Sequence, residues 1–322
     1  MRYLGAKLLD AGMCGMMYAL QRRHRLAPES LSRFDAYFAG HENQTRDAFF
    51  HAPPLLLEET SALRWKSPVD SPFAENNECH VNLFPCEEGW SRPTVIMLHA
   101  LMSASDRGYR EWARRFNEQN WNAVFVHLPY HYSRTPRRHW NGELAITADV
   151  VRTVEALRAG VSEIRQLMAW LRRKGSPSFG LWACSYGGWI GSLLASVEAD
   201  FEWIALIEPI LNIEHAIWVS PAGRAVRAEL RRAGITQEQV SRHFLLASPM
   251  HGRPSCAKER MIFAAGEYDT IARLEDIRAA QAQWGGELIT ARQGHFGFQL
   301  MQGVWSHLCE RGLLDTAAIS RH

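Results

Sequence analysis

The sequence predicts an α/β protein built on a mostly parallel central sheet with helices on both faces. Short apolar, β-branched runs without polar alternation recur along the chain. Thr94-Val95-Ile96-Met97-Leu98 is the clearest, and such runs suit strands buried on both faces. From about residue 94 to 310 these runs alternate with segments of helical periodicity, as parallel strands joined by crossover helices require. The 322 residues are 47% hydrophobic and 22% charged. That is enough chain for one large domain with an insertion, or for two average domains, and too apolar for disorder.

Residues 1–60 read as a helical and irregular preface ending at Pro53-Pro54, which disfavours further helix. Ala62–Lys66 and Cys79–Phe84 are short strand candidates. Strand Thr94–Leu98 precedes a helix at Tyr109–Gln119 and a second buried strand at Ala123–His127, stopped by Leu128-Pro129. Thr147–Lys174 is the clearest helix: Val150, Val154, Leu157, Val161, Ile164, Met168 and Leu171 form one apolar stripe. Arg172-Arg173-Lys174 suit its negative end, and Gly175 and Pro177 terminate it. Then follow strand Ser178–Cys184, helix Tyr186–Glu198 and strand Trp203–Ile207. After them come strand Met261–Ala265, helix Leu274–Trp284, strand Glu287–Ala291 and helix Phe296–Cys309. Residues 212–247 break the alternation with three short helical segments, Glu214–Val219, Ala225–Arg232 and Gln237–Leu245. They read either as a long crossover or as a cap-like insertion over a pocket. The expected organisation is a preface over 1–60, a core over 61–211 and 248–322, and the insertion over 212–247.

A formal net charge of +2 gives no whole-molecule field for nucleic acid, so none is expected as a partner. The basic runs Arg22-Arg23-His24-Arg25 and Arg134 to His139 read as solvated faces or loops. The six cysteines include no Cys-x-x-Cys pair and no Cys/His cluster of zinc spacing. Reduced thiols, a cytoplasmic location, no metal and no cofactor are therefore the expectation; a Cys79–Cys86 pair across a hairpin is left open. Lys7 and Asp10 interrupt the apolar amino terminus, which makes a poor signal peptide and too broken a span for a bilayer. Leu4, Leu8, Met16 and Leu20 fall partly on one side of a helix there. It either packs on the domain or makes peripheral membrane contact.

The chemistry centres on Ala183-Cys184-Ser185-Tyr186-Gly187-Gly188. A serine hydroxyl becomes a useful nucleophile when a base takes its proton and donors hold the oxyanion. A sharp strand-to-helix turn presents such a serine, and its strained backbone needs small residues two before and two after. Ala183 and Gly187 meet that need. The competing reading makes Ser185 a helix N-cap. The turn resembles the nucleophile elbow of the α/β-hydrolase family, with Ala183 in place of the commoner glycine. The resemblance covers roughly residues 60–310 and extends loosely to α/β-hydrolase domain-containing protein 18 and its bacterial relatives.

That resemblance implies an α/β-hydrolase fold with a helical cap-like insertion and a triad in the order Ser, acid, His. Met261 to Asp269 matches the family's strand-Gly-x-x-Asp pattern, which makes Asp269 the acid; a helix N-cap is its alternative role. Glu208, after strand Trp203–Ile207, is a substitute acid. Gln293-Gly294-His295-Phe296 matches the loop of the histidine, so His295 is the base. The oxyanion donors map to the backbone of Tyr186 and Leu101, in His99-Ala100-Leu101-Met102, with Met102 as the alternative. Ala100 stands where glycine is usual, so that turn requires Ala100 to keep a negative φ. His99, Met102, Tyr130, Trp189 and Trp218 are candidate pocket walls. The His- and Tyr-rich segment His127 to Arg134 reads as a loop at the pocket mouth rather than a metal site.

The implied reaction is hydrolysis of a carboxylic ester, with a small-molecule or lipid-acyl substrate. An acyltransferase or peptidase would use the same triad, and a non-catalytic binding protein could keep the fold.

Overall fold

The computed structural model describes residues 3–55 and 62–315. Residues 1–2 and 56–60 of the expected preface, and residues 61 and 316–322 of the expected core, lie outside them. The chain opens with helices α1 (Tyr3–Gln21), α2 (Ser30–Ala39) and α3 (Arg46–Phe49). Strands β1 (Ala62–Lys66) and β2 (Glu78–Phe84) form an antiparallel pair. Strand β3 (Thr94–Leu98), helix α4 (Arg107–Asn117), strand β4 (Asn122–Val126), helix α5 (Val150–Lys174) and strand β5 (Phe179–Cys184) begin the alternation. Helix α6 (Tyr186–Ala195) and strand β6 (Phe201–Ile207) follow. Helices α7 (Arg224–Arg232) and α8 (Gln237–His243) come before β7 (Met261–Gly266), α9 (Leu274–Trp284), β8 (Glu287–Ala291) and α10 (Gln299–Glu310).

The eight strands make one sheet in the order β1-β2-β4-β3-β5-β6-β7-β8. Strands β3 to β8 run parallel, and β2 joins β4 antiparallel. Every residue of β3, β4, β5 and β7 is buried. Their unbroken apolar runs thus report a sheet covered on both sides.

Most elements lie within a few residues of where periodicity puts them. The differences concern what sequence cannot see. Helix α5 starts at Val150 rather than Thr147, because the Asp149 carboxylate accepts the Arg152 N–H at 3.1 Å and caps it. The last helix starts at Gln299 rather than Phe296. The Gln293 side chain accepts the Gln299 and Leu300 N–H groups at 2.8 and 3.3 Å and marks its first turn.

Helix α1 packs on the domain through Ala6, Asp10 and Cys14, spaced at four, while Leu4 and Leu8 are 68% and 65% exposed. The apolar set read from the sequence therefore faces outward. Arg134 is another correction. It is fully buried, bonded to Glu163 through both terminal nitrogens at 2.6 and 2.8 Å and to the carbonyls of Asn76 and His127. All six cysteines are free, Cys79 and Cys86 included. Among the described residues no helix is long and apolar enough to cross a membrane.

Candidate active site

The carboxyl ends of the parallel strands are where open α/β sheets bind ligands, and the predicted triad assembles there. Ser185 follows β5 with φ 51° and ψ −110°, a conformation that non-glycine residues adopt only when the surroundings enforce it. Its N–H donates to the Ile207 carbonyl at 2.9 Å, and the Ser185 carbonyl accepts the Trp189 N–H at 3.0 Å. The small residues around it are required by contact. A Cβ on Gly187 would lie 2.6 Å from the Leu98 carbonyl oxygen and 2.7 Å from that of His99. Ser185 stands at the N-cap position of α6, yet its side chain makes no capping bond.

The Ser185 hydroxyl instead lies 2.7 Å from His295 Nε2, and His295 Nδ1 lies 2.7 Å from Asp269 Oδ2. All three side chains are buried. Asp269 also fills its alternative role: its Oδ1 accepts the N–H groups of Ile271 and Ala272 at 2.7 and 2.9 Å. Those two bonds fix the carboxylate, and its free oxygen orients the imidazole.

Two further buried carboxyls crowd this pair. Glu208, at φ 48° just after β6, accepts from Gln293 Nε2 at 2.8 Å and makes no bond to His295 comparable to that of Asp269. Asp10 of α1 accepts the His295 backbone N–H at 3.1 Å through Oδ2. Burial pushes both carboxyls upward from the ordinary carboxylate range, Glu208 strongly. Burial alone would lower the His295 imidazole, but Asp269, then Glu208 and Asp10, outweigh it and hold it at about 9. Glu208, Asp269 and His295 also lie close enough together to resemble a metal-binding group. Both ring nitrogens are, however, already bonded to Ser185 and Asp269.

The loop after β3 lies over the site. Ala100 keeps a negative φ and Met102 carries the positive one, at 55°, so the turn tolerates alanine where glycine is usual. Among the described residues, the N–H groups of Tyr186 and Leu101 have no acceptor. The Met102 N–H is taken by His131 Nε2 at 3.2 Å, which removes Met102 as an oxyanion donor.

A cavity of about 660 Å³ opens at Ser185 and His295. Its walls are mainly apolar and include Met13 and Met17 of α1, Val226 and Leu230 of α7, and Phe244. Of the predicted wall residues, Met102 and Trp189 line it, and His99, Tyr130 and Trp218 do not. His99 is buried under the loop, where Nε2 accepts the Leu128 N–H at 3.2 Å. Tyr130 packs edge-on against Phe73, and Trp218 lines a separate cavity with Asn212 and Glu214. Asp10 had only one sequence signal, an acidic residue four positions from both Ala6 and Cys14 within an apolar helix. It reads there as an interruption of hydrophobicity.

The sheet order, the turn at Ser185 and the loops of Asp269 and His295 together define the α/β-hydrolase fold. The family model described as alpha/beta hydrolase domain containing 18 matches residues 75–223. Two uncharacterized proteins of Mycobacterium tuberculosis are each 26% identical over 285 residues, 82% of this chain and 63% of theirs. The chain thus spans under two thirds of the length of these curated relatives. Among solved structures, an acetyl xylan esterase from Paenibacillus sp. R4 superposes with a TM-score of 0.56 at 14% identity, covering 91% of this chain and 98% of that one. Acetyl xylan esterase 1 from Thermoanaerobacterium sp. JW/SL YS485 gives 0.54 at 12% identity, covering 94% and 98%. These likenesses establish the shared fold.

Proposed function

We propose that this chain is a serine esterase that cleaves a carboxylic ester bearing an extended acyl chain. The observation that carries the reading is the continuous contact from Ser185 Oγ to His295 to Asp269, at 2.7 Å in each step, beside two free backbone donors. Ser185 attacks the ester carbonyl as His295 Nε2 takes its proton, and the N–H groups of Tyr186 and Leu101 hold the oxyanion. Collapse expels the alcohol with the proton from His295. A water activated by the same imidazole then releases the acid and restores Ser185.

The cavity supports the substrate class. About 660 Å³ with mainly apolar walls falls in the size range of pockets that enclose a whole small ligand, and it far exceeds what an acetyl group fills. Ile217, Val226, Leu230 and Phe244, all from 212–247, line it, in keeping with a cap. The exposed Leu4, Leu8 and Met16 of α1 fit peripheral contact with a membrane, where such esters occur.

A chain-length series of p-nitrophenyl esters tests the reading. The rate at fixed concentration should climb from acetate to a medium or long chain, and Val226→Phe, which fills the cavity, should move the optimum to shorter chains. A profile that peaks at acetate, or one that Val226→Phe leaves in place, contradicts the acyl-chain assignment.

A further inference from the structure

The His- and Tyr-rich segment after β4 has no part in the triad, yet it grips the 99–103 loop at several points. The Leu128 N–H donates to His99 Nε2 at 3.2 Å. The Tyr132 hydroxyl donates to Ser103 Oγ at 2.8 Å and, beyond the segment, Asn141 Nδ2 donates to the Ser103 carbonyl at 2.5 Å. At the centre His131 accepts the Met102 N–H. Its other nitrogen, Nδ1, lies 2.9 Å from the Pro129 carbonyl. A carbonyl only accepts, so Nδ1 carries the proton and Nε2 is the free acceptor that Met102 needs. Burial holds the imidazole down at about 4, which keeps it neutral in ordinary buffers.

The surroundings over-determine this ring. His131 is fully buried, and its neighbours Tyr130 and Tyr132 have φ of 68° and 51°, strain that persists only where packing enforces it. The ring stacks on Tyr186 at 5.6 Å with 29° between planes. A Cβ on Gly142 would lie 2.3 Å from His131 Nε2 and 2.9 Å from Met102 N, and Gly142 has a φ of +76°. Glycine is therefore needed there for both its backbone and the space. One side chain thus touches the residue after Leu101 and the side chain of Tyr186; Leu101 and Tyr186 are the candidate oxyanion donors.

We infer that His131 is the positioning residue of the oxyanion hole: as a neutral imidazole it engages the Met102 N–H and so holds the loop with the Leu101 N–H as a free donor beside Ser185. The inference rests on the triad reading above and goes beyond it. It also gives the segment a role that neither a pocket mouth nor a metal site supplies.

Kinetics on a soluble p-nitrophenyl ester with H131Q and H131N test it. Glutamine brings its carboxamide oxygen near the place of Nε2 and still accepts from Met102, whereas asparagine reaches only the place of Nδ1. Loss of one oxyanion donor costs about 100- to 1,000-fold, so misplacing one should cost H131N on the order of 10- to 100-fold in kcat. KM should hold nearly constant. Affinity for a trifluoromethyl ketone, whose adduct with serine carries an oxyanion, should fall by a similar factor, and H131Q should recover most of both losses. A folded H131N with wild-type kcat, or an H131Q as slow as H131N, overturns the inference while wild-type turnover leaves Ser185 standing. A wild type without turnover overturns both. If H131N does not fold, Gly142→Ala places a methyl in the same contact with His131 intact. It should show the same loss in kcat, and an unchanged kcat there overturns the inference.

Discussion

Asp10 ties the amino-terminal helix to His295, and two substitutions separate the two things it does. Its Oδ2 accepts the His295 N–H at 3.1 Å in a buried site, and its charge helps hold the imidazole at about 9. Asp10→Ala leaves that N–H without its acceptor, which costs about 1–3 kcal/mol. At roughly 2–4 °C per kcal/mol for a large single domain, Tm should drop by about 2–12 °C. Asp10→Asn keeps a carbonyl oxygen to accept the bond and removes only the charge, so Tm should fall far less. The charge effect has a definite sign. Removing a negative neighbour lowers the His295 pKa, so the pH at which kcat/KM reaches half its plateau should move down in Asp10→Asn. Thermal melts and pH–rate profiles on a p-nitrophenyl ester read the two effects separately. If Asp10→Ala melts with the wild type and neither variant moves the acid limb, α1 is only a bystander to the site.

The remaining expectations concern the same cluster. Because His295 must be neutral to take the Ser185 proton and is held at about 9, wild-type kcat/KM should still be rising between pH 7 and 9. Glu208→Gln keeps the carbonyl oxygen that accepts from Gln293 and should shift that limb toward lower pH; an upward shift would contradict the electrostatic assignment. Gly187→Ala forces a methyl to within 2.6 Å of the Leu98 carbonyl. Overpacking of this kind costs about 1–3 kcal/mol, and here it also displaces Ser185, so both Tm and kcat should fall. A variant with wild-type values for both would show that the elbow does not need glycine.

Much of the fold was legible because its signals are local. Thr94–Leu98 and Ser178–Cys184 read as buried strands since both faces of β3 and β5 are covered, and Ser185, Asp269 and His295 could be expected to meet because each follows a strand at a recognisable turn. The misreadings share another physical origin. His131 meets Met102 across 29 residues and Asp10 meets His295 across 285, and no periodicity encodes such contacts. Arg134 looked like one of a solvated basic run because its partner Glu163 lies on another helix. Leu4 and Leu8 suggested a packing face by hydrophobicity alone, whereas the smaller Ala6 and Cys14 allow the close approach that brings Asp10 to the site. Trp218 marks the limit of element-level reading, since it borders a cavity next to the one at Ser185.

The account stands on Ser185 being a nucleophile activated by His295. Incubation with a fluorophosphonate, followed by mass spectrometry of the intact chain and its peptides, measures that directly. A single adduct should form on the peptide containing Ser185 in the wild type, disappear in Ser185→Ala and slow sharply in His295→Ala, whose serine has lost its base. No adduct on the folded wild type, or an equal adduct on Ser185→Ala, would contradict the account.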